Sequence, residues 1–524
     1  VVCVVLGSLV GLVTLRLRSH YFVITTLSLG LVVEAIINNW TSLTMGAQGI
    51  PSIAAPSPIV IGGLHIGFEP DGGFYYLVAV VLVVAMFISA RFMRSPFGRG
   101  CVAVRDNDLL ASFVGLDIRI YRLGSFVLST AMAAVAGSLY AVDASFIDPT
   151  IASYTQAFQA VVQGQVGGIA STFGPVLGAY GLTILPEALN NLENSYLLVY
   201  GVLLVVVILF FRGGLIGGLQ QLTQAALRQR RPPVEERSTS ANGTALTRPS
   251  AQGRLTWMET RPADSAGTGS EILRCEGVVI RYGGLTAIDD VDLSIRPGEL
   301  LSVVGPNGAG KSSLFNGLTG ATPLARGRVL FDGSDVTGML PHRLVRRGMV
   351  RTFQSAQLFE SLTTLENALV GRLRHLRRPL SDVLSGGRRA SQRELEEQER
   401  VAGLLDWVGL GNDLQRRAEE LPIGKKQRLA VAMALATQPR AILLDEPLAG
   451  LSDDAIPGML DLFRAVCQSG IGIVLVEHRM RAVMAVANRV VVLDHGRKIA
   501  EGAPHEIGNI EVVVSAYLGS RFRA

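Results

Sequence analysis

Charge is scarce in this chain of 524 residues, with Asp, Glu, Lys and Arg making up only 17% of it. Cysteine is scarcer: Cys3, Cys101, Cys275 and Cys467 stand far apart and form no C-x-x-C pair. That excludes a sequence-signalled zinc site and a disulfide framework, and the four read as reduced bystanders. The surplus of positive charge is small as well, 48 Lys+Arg against 43 Asp+Glu. Many of the arginines flank apolar runs, where membrane topology places them, so the balance is no footprint of nucleic acid and no nucleic-acid partner is expected. The opening Val-Val-Cys-Val-Val has neither a basic n-region nor a small-residue cleavage site. It reads as the inside of a membrane helix rather than a signal peptide.

What the chain does have is apolar residue, 49% of the total, unevenly spread. Up to about Arg212, long apolar runs alternate with short charged patches. From about Glu271 charges are frequent and apolar residues come in strand-sized or helix-periodic groups. The expected fold class is therefore multi-domain, with an α-helical polytopic membrane domain over 1–219, a flexible linker over 220–270 and a soluble domain over 271–524.

A helix crosses the hydrocarbon core with about 20 apolar residues. Spans are expected at 21–39, 74–90, 123–142 and 196–211, with the end of another at 1–15 and a pair within 157–189. Arg16 and Arg18, then Arg91, Arg94, Arg99 and Arg105, then Arg212, Arg228, Arg230 and Arg231 all face the cytoplasm only if 157–189 crosses an even number of times. Two passes turning near 167–175 satisfy this, and so does a re-entrant loop. Small residues at 130–137 and 164–181 signal close helix packing. Glu34, Asn38, Gln156, Gln159, Gln163, Gln165 and Glu187 are costly in hydrocarbon, so they face either other helices or a solute path. The stretch 95–122 is amphipathic and mixed in charge, and reads as a cytoplasmic loop with a short helix. Its 106–115 segment is the candidate for docking on the soluble half, against the alternative of a solvated surface helix. The Ser-, Pro- and Arg-rich run over 220–270 cannot bury enough apolar surface to order itself and reads as a tether.

In the second half Gly305-Pro-Asn-Gly-Ala-Gly-Lys-Ser312 follows the apolar run 300–304 and precedes a helix-like run. This is the strand, loop, helix context that a phosphate-binding loop needs. Gly305, Asn307, Gly308, Ala309 and Gly310 let backbone N–H groups wrap the phosphates of ATP, with Lys311, Ser312 and Ser313 completing the cradle. Lys311 neutralises the β and γ oxygens and the Ser312 hydroxyl ligates Mg²⁺. A second apolar run, 441–444, ends in Asp445-Glu446-Pro447, which places carboxylates at the carboxyl edge of a buried parallel sheet. There Asp445 is expected to hold Mg²⁺ and Glu446 to polarise the attacking water. A third run, 471–476, ends in Glu477-His478 at the same edge. Each residue alone would be an ordinary surface or capping group; the ordered set is not.

On this set the half from about Glu271 resembles ABC transporter ATPases, which implies an α/β P-loop nucleotide-hydrolase (NTPase) domain with a helical subdomain over 271–524. The resemblance implies that Tyr282 stacks on adenine, that Gln354 of Thr-Phe-Gln links Mg²⁺ and water to a permease, and that His478 is the switch histidine. Gly424 belongs to a signature motif that reads Leu421-Pro422-Ile423-Gly424-Lys425-Lys426-Gln427 instead of the common L-S-G-G-Q. Ala449-Gly450-Leu451-Ser452 also lacks the usual Asp, and together these departures suggest that two unequal ATPase subunits pair.

The runs Leu15-Arg-Leu-Arg-Ser-His-Tyr-Phe22, Asn39-Trp-Thr-Ser-Leu43, Ser95-Pro-Phe-Gly-Arg99, 102–115 and Phe173-Gly-Pro-Val-Leu-Gly178 look like the second-type permease of the branched-chain amino-acid uptake family. Tyr282-Gly-Gly-Leu-Thr-Ala-Ile, Arg351–Gln354 and Ala516-Tyr-Leu-Gly519 look like its first-type ATPase. The resemblance implies import of branched-chain or similar amino acids across the cytoplasmic membrane, with the ATPase on the cytoplasmic side. The implied partners are a second permease, a second ATPase, an extracytoplasmic solute-binding protein and membrane lipid. Relatives that carry urea or amides, an exporter half-transporter, and a soluble ATPase acting on ribosomes or DNA are the competing readings. The last is opposed by the apolar spans and the exporter by the short loops.

Overall fold

The structure, a computed structural model, describes residues 2–15, 19–54, 59–61, 64–66, 73–169, 171–188, a few positions between 201 and 217, 271–354, 356–374, 376 and 388–507. Most of the expected span 196–211, Arg16, Arg18, Arg212, the linker 220–270 with Arg228, Arg230 and Arg231, and 516–519 lie outside the described residues. The chain forms two compact units, one of residues 1–94 with 122–240, the other of residues 95–121 with 241–524.

The first unit is helical. Ser19–Asn39 forms where the 21–39 span was expected, Gly73–Arg94 where 74–90 was, and Ile118–Ala144 encloses 123–142. Gly73–Arg94 and Ile118–Ala144 are long and apolar enough to cross a membrane. Apolar side chains such as Val83 and Phe87 stand exposed, as suits a helix whose solvent is lipid. The helix Val2–Thr14 packs through its glycines: a Cβ on Gly7 would meet Thr130 at 2.6 Å, and one on Gly11 would meet Leu123 and Phe126 at 3.0 Å. Gly137, in the same small-residue stretch as Thr130, has nothing within 4 Å among the described residues.

The pair expected within 157–189 is the hairpin Tyr154–Gly167 and Gly174–Ala188. Three glycines bring its backbones together, since a Cβ on Gly167 would meet the Gly174 carbonyl at 1.8 Å and one on Gly178 the Gln163 carbonyl at 2.0 Å. Tyr154–Gly167 has 14 residues. At 1.5 Å per residue it is about 21 Å long, short of the roughly 30 Å hydrocarbon core, which favours the re-entrant alternative over two full passes. Gln163 and Glu34 are half-buried, while Asn38, Gln156, Gln159 and Gln165 are exposed. The side chain of Glu187 lies outside the described residues.

The second unit carries two sheets. The larger has six strands in the order Met349–Arg351, Ala441–Asp445, Gly472–Val476, Leu300–Val304, Arg489–Asp494 and Arg497–Gly502, parallel except for the last. Leu300–Val304, Ala441–Asp445 and Gly472–Val476 are buried at every position, as befits strands covered on both faces. The smaller sheet is antiparallel, in the order Leu285–Ile295, Leu273–Tyr282, Arg326–Phe331 and Ser334–Asp335. Leu273, Ile280 and Ile288 from it share a core with Phe315 and with Leu301 of the larger sheet.

Residues 95–121 belong to this second unit. The one short helix expected there is two. Ser95 caps Pro96–Asp106 by accepting the Gly98 N–H at 3.0 Å. Asn107 is extended (φ −156°, ψ 102°), ends that helix, and caps Asp108–Phe113 by accepting the Leu110 N–H at 2.9 Å. Ala103, Val104, Leu110, Ala111 and Val114 are buried in the same cluster as Val345, Leu358, Phe359 and Leu369. Around that apolar contact Asp106 accepts from the backbone N–H and the hydroxyl of Ser361, Asn107 donates to Gln357, and Arg99 pairs with Glu394. The docked reading of 106–115 therefore holds, and the solvated-helix alternative does not.

Candidate functional site

Parallel register aligns three strand ends. Asp445 pairs with Val476, and Val476 with Val303, so the residues that follow Val304, the strand-terminal Asp445 and the residues that follow Val476 emerge along one edge. Gly305 opens the loop at φ +156°, and a Cβ there would meet the Leu493 carbonyl at 2.1 Å. Gly310 closes it at φ +99° and caps the helix Lys311–Leu318; a Cβ on it would meet the Ala287 carbonyl at 2.5 Å. Only glycine satisfies both positions. The first N–H groups of the helix have no carbonyl a turn before them and point out of its start, with the positive end of the helix dipole behind them.

Asn307, Gly308, Ala309, Gly310, Lys311, Ser312 and Ser313 line one cleft of about 1050 Å³ together with Tyr282, Gln354, Glu446 and His478. Lys311 is buried, and its Nζ donates to the carbonyls of Gly305 and Pro306 at 2.8 and 2.9 Å. Burial lowers its pKa, against the opposing pull of Glu446 and Asp445. Tyr282 is 44% exposed at the rim, where its hydroxyl is 3.3 Å from that of Thr322. Its ring is free to lie against a planar base.

At the far end of the cleft Gln354, Glu446 and His478 form one hydrogen-bonded set. Gln354 Nε2 donates to Glu446 Oε2 at 2.9 Å, and His478 Nε2 lies 2.5 Å from Glu446 Oε1. Glu446 holds a left-handed backbone (φ +48°), with its N–H bonded to the Val476 carbonyl at 2.9 Å. A non-glycine residue in that conformation costs free energy, which marks a place where side-chain direction is being fixed. A carboxylate so held is able to orient and polarise a water against whatever the loop binds.

Asp445 is buried, and burial raises its pKa in spite of Arg351. Its Oδ2 accepts from Arg351 at 2.9 Å, while Oδ1 has no hydrogen-bond partner among the described residues. A buried carboxylate oxygen left open, together with the Ser312 hydroxyl and the Gln354 amide oxygen of two cleft-lining residues, offers the all-oxygen donor set that Mg²⁺ takes. The residues present therefore fit the ion.

Gly424 stands apart. It is the second residue of the helix Ile423–Ala436 and does not line the cleft. Pro422, at the helix start, offers no side-chain cap, and Lys425 is held by Asp413 at 2.6 Å. Five further cleft residues, Leu285, Thr286, Ala287, His495 and Gly496, were not anticipated as site residues, since nothing in the sequence distinguishes them from ordinary strand and turn positions. Glu477 was read only as the neighbour of His478. It is buried and accepts the N–H groups of Leu448 at 2.7 Å and His478 at 3.2 Å, tying the turn after Glu446 to the strand end that bears the histidine.

Comparison with known proteins bears on both units. Residues 1–208 match the family model of the branched-chain amino acid transport system permease component, and residues 288–449 that of the ABC transporter. The chain is 36% identical to the high-affinity branched-chain amino acid transport ATP-binding protein BraF of Pseudomonas aeruginosa, over 47% of this chain and 98% of that protein. It is 35% identical to the corresponding protein LivG of Escherichia coli, again over 47% and 98%. A solved ATP-binding cassette of an ABC transporter in its ADP conformation aligns with 48% of this chain and 100% of its own length, at 32% identity and a TM-score of 0.42.

Proposed function

We propose, from the premise that this chain belongs to the branched-chain amino acid ABC transporter family and joins a permease domain to its ATPase, that it imports branched-chain or similar amino acids. The observation that carries the reading is the place of residues 95–121: a loop of the permease sequence is packed into the same compact unit as the nucleotide cleft. Two halves with unrelated tasks would have no reason to share a core.

In this reading the permease spans the cytoplasmic membrane several times within 1–219, 220–270 is a tether, and the ATPase of 271–524 lies on the cytoplasmic side. Tyr282 receives the adenine of ATP, and the loop from Gly305 to Ser313 wraps its phosphates. On arrival of the phosphates Lys311 exchanges the Gly305 and Pro306 carbonyls for β and γ oxygens. Ser312, Asp445 and Gln354 would hold Mg²⁺, which supplies charge neutralisation of the phosphates when bound. Glu446 orients the attacking water and takes its proton, His478 fixes the direction of that carboxylate, and Gln354 reports on it from the other oxygen.

Gly424 is directed at the nucleotide of a second ATPase subunit, consistent with its place outside this chain's own cleft. A second permease and an extracytoplasmic solute-binding protein complete the assembly. ATP draws two ATPase domains together, the loop at 106–115 passes that motion to the helices it joins, and hydrolysis releases it.

The test is Glu446→Gln in the reconstituted assembly. Uptake of leucine, isoleucine or valine into vesicles should fall at least about 100-fold while ATP binding stays. Undiminished uptake would sink the reading, and uptake that needs no solute-binding protein would sink its import direction.

A further inference from the structure

Arg351 ends the edge strand Met349–Arg351 and is buried, 6% exposed. Its two terminal nitrogens point to different elements: Nη2 donates to Asp445 Oδ2 at 2.9 Å, and Nη1 to Asn316 Oδ1 at 2.6 Å on the helix that follows the phosphate loop. The flat guanidinium also lies against three rings, with its central carbon 5.8 Å from the centroid of Phe113, 5.5 Å from Phe315 and 5.8 Å from Phe353. Phe113 and Phe353 meet edge to face, centroids 5.0 Å apart and planes at 88°. Phe113 is 2% exposed and comes from the permease loop; Phe353 immediately precedes Gln354.

We propose that Arg351 is the positioning residue that conveys the state of the nucleotide site to the permease loop, its guanidinium joining Asp445 to the ring of Phe113. A guanidinium is planar and rigid, so turning its hydrogen-bonding edge turns its faces too. Separating a buried ion pair leaves two uncompensated charges, so Arg351 follows Asp445 rather than releasing it. Any cation delivered with the nucleotide competes for the Asp445 carboxylate, and the edge of Arg351 then turns with it. The rings of Phe113, Phe315 and Phe353 crowd that guanidinium in a close-packed interior, and Phe113 and Phe353, which also pack on each other, move when it does. The route runs from Asp445 to Phe113 through one side chain and needs no displacement of Gln354.

The inference rests on the transport reading for its purpose but is tested without transport. In the full chain in lipid nanodiscs, amide hydrogen exchange of peptides covering 106–115 is followed with and without Mg²⁺ and a non-hydrolysable ATP analogue. Binding of a fluorescent ATP derivative is measured in parallel. In the parent chain, nucleotide should change the exchange rate of 106–115 at least twofold. In Arg351→Met that response should fall to less than a quarter, compared at nucleotide concentrations where the fluorescent derivative shows both chains saturated. Arg351→Lys keeps the charge beside Asp445 but lacks the flat face. It should bind nucleotide as the parent does and pass less than half of the response, which serves if the Met variant does not fold. A parental response in either variant, or a parent loop indifferent to bound nucleotide, would overturn the proposal. Failure of the parent chain to bind nucleotide would overturn the transport reading as well, and the fluorescent derivative reads that separately.

Discussion

Asn107 donates through Nδ2 to Oε1 of Gln357 at 3.0 Å, across 250 residues of sequence. One step away Asp106 accepts from both the backbone N–H and the hydroxyl of Ser361. These bonds lie at the margin of an apolar contact, so they set the register of the docked loop more than its affinity.

Asp106→Ala is therefore expected to cost about 1–2 kcal/mol of loop docking and to leave the distant phosphate loop as it is. In vesicles the variant should hydrolyse ATP at close to the parental basal rate while solute uptake per ATP falls several-fold. Equal losses in both would show that the contact supports the ATPase fold alone.

Gly310→Ala should abolish nucleotide binding. The added Cβ would fall 2.5 Å from a backbone carbonyl at a φ of +99°, and neither can yield cheaply. A loss of about 2 kcal/mol or more of folding stability is expected with it, read as a lowered melting temperature. Gly283→Ala is the control: it shares a positive φ but has open space around it, so it should bind nucleotide as the parent does.

Glu477 is a buried carboxylate with two backbone donors, and burial pushes its pKa up. Glu477→Gln keeps an acceptor for the Leu448 N–H but turns an amide donor toward the His478 N–H, so it should cost less in melting than removal of both acceptors. Glu477→Ala leaves that N–H unanswered and should cost about 1–3 kcal/mol. Because the His478 backbone is held by the same carboxylate, the alanine variant should also lose hydrolysis rate at unchanged affinity for ATP. A fall in affinity with the rate preserved would place Glu477 outside the chemistry.

The place of the cleft residues was legible from the chain because each part is a short run with its own strand or helix attached. Gly305 to Ser313, Asp445-Glu446 and His478 needed no long-range information to be placed at one sheet edge. The docked loop was legible from its amphipathic pattern, though not its break at Asn107, where one extended residue turns one helix into two. Arg351 was read only as part of a familiar tripeptide setting. Its partners Phe113, Phe315 and Asp445 are spread over more than half the chain, and no local periodicity links them. The close pairing of the two helices of the 154–188 hairpin depends likewise on how closely Gly167 and Gly178 let two backbones approach, which composition suggests and only geometry measures.

Cys101, Cys275 and Cys467 are all free thiols, and burial pushes each of them up to about 12. A raised thiol pKa means a scarce thiolate at pH 8.5, where half of an ordinary cysteine is ionised. In a Cys3→Ser background the folded chain should resist alkylation at that pH and take up three labels on denaturation. Labelling of folded protein would show that these sites open.

The loop at 95–121 leaves the ribosome long before the surface that receives it. Ser361 follows Asp106 by 255 residues. At about 5–20 residues per second, roughly 13–50 s of elongation pass with Leu110, Phe113 and Val114 made and their pocket not yet in existence. The nascent chain must shelter that apolar strip meanwhile, because the order of the two halves along the polypeptide makes the helices first and the surface that seats their handle last.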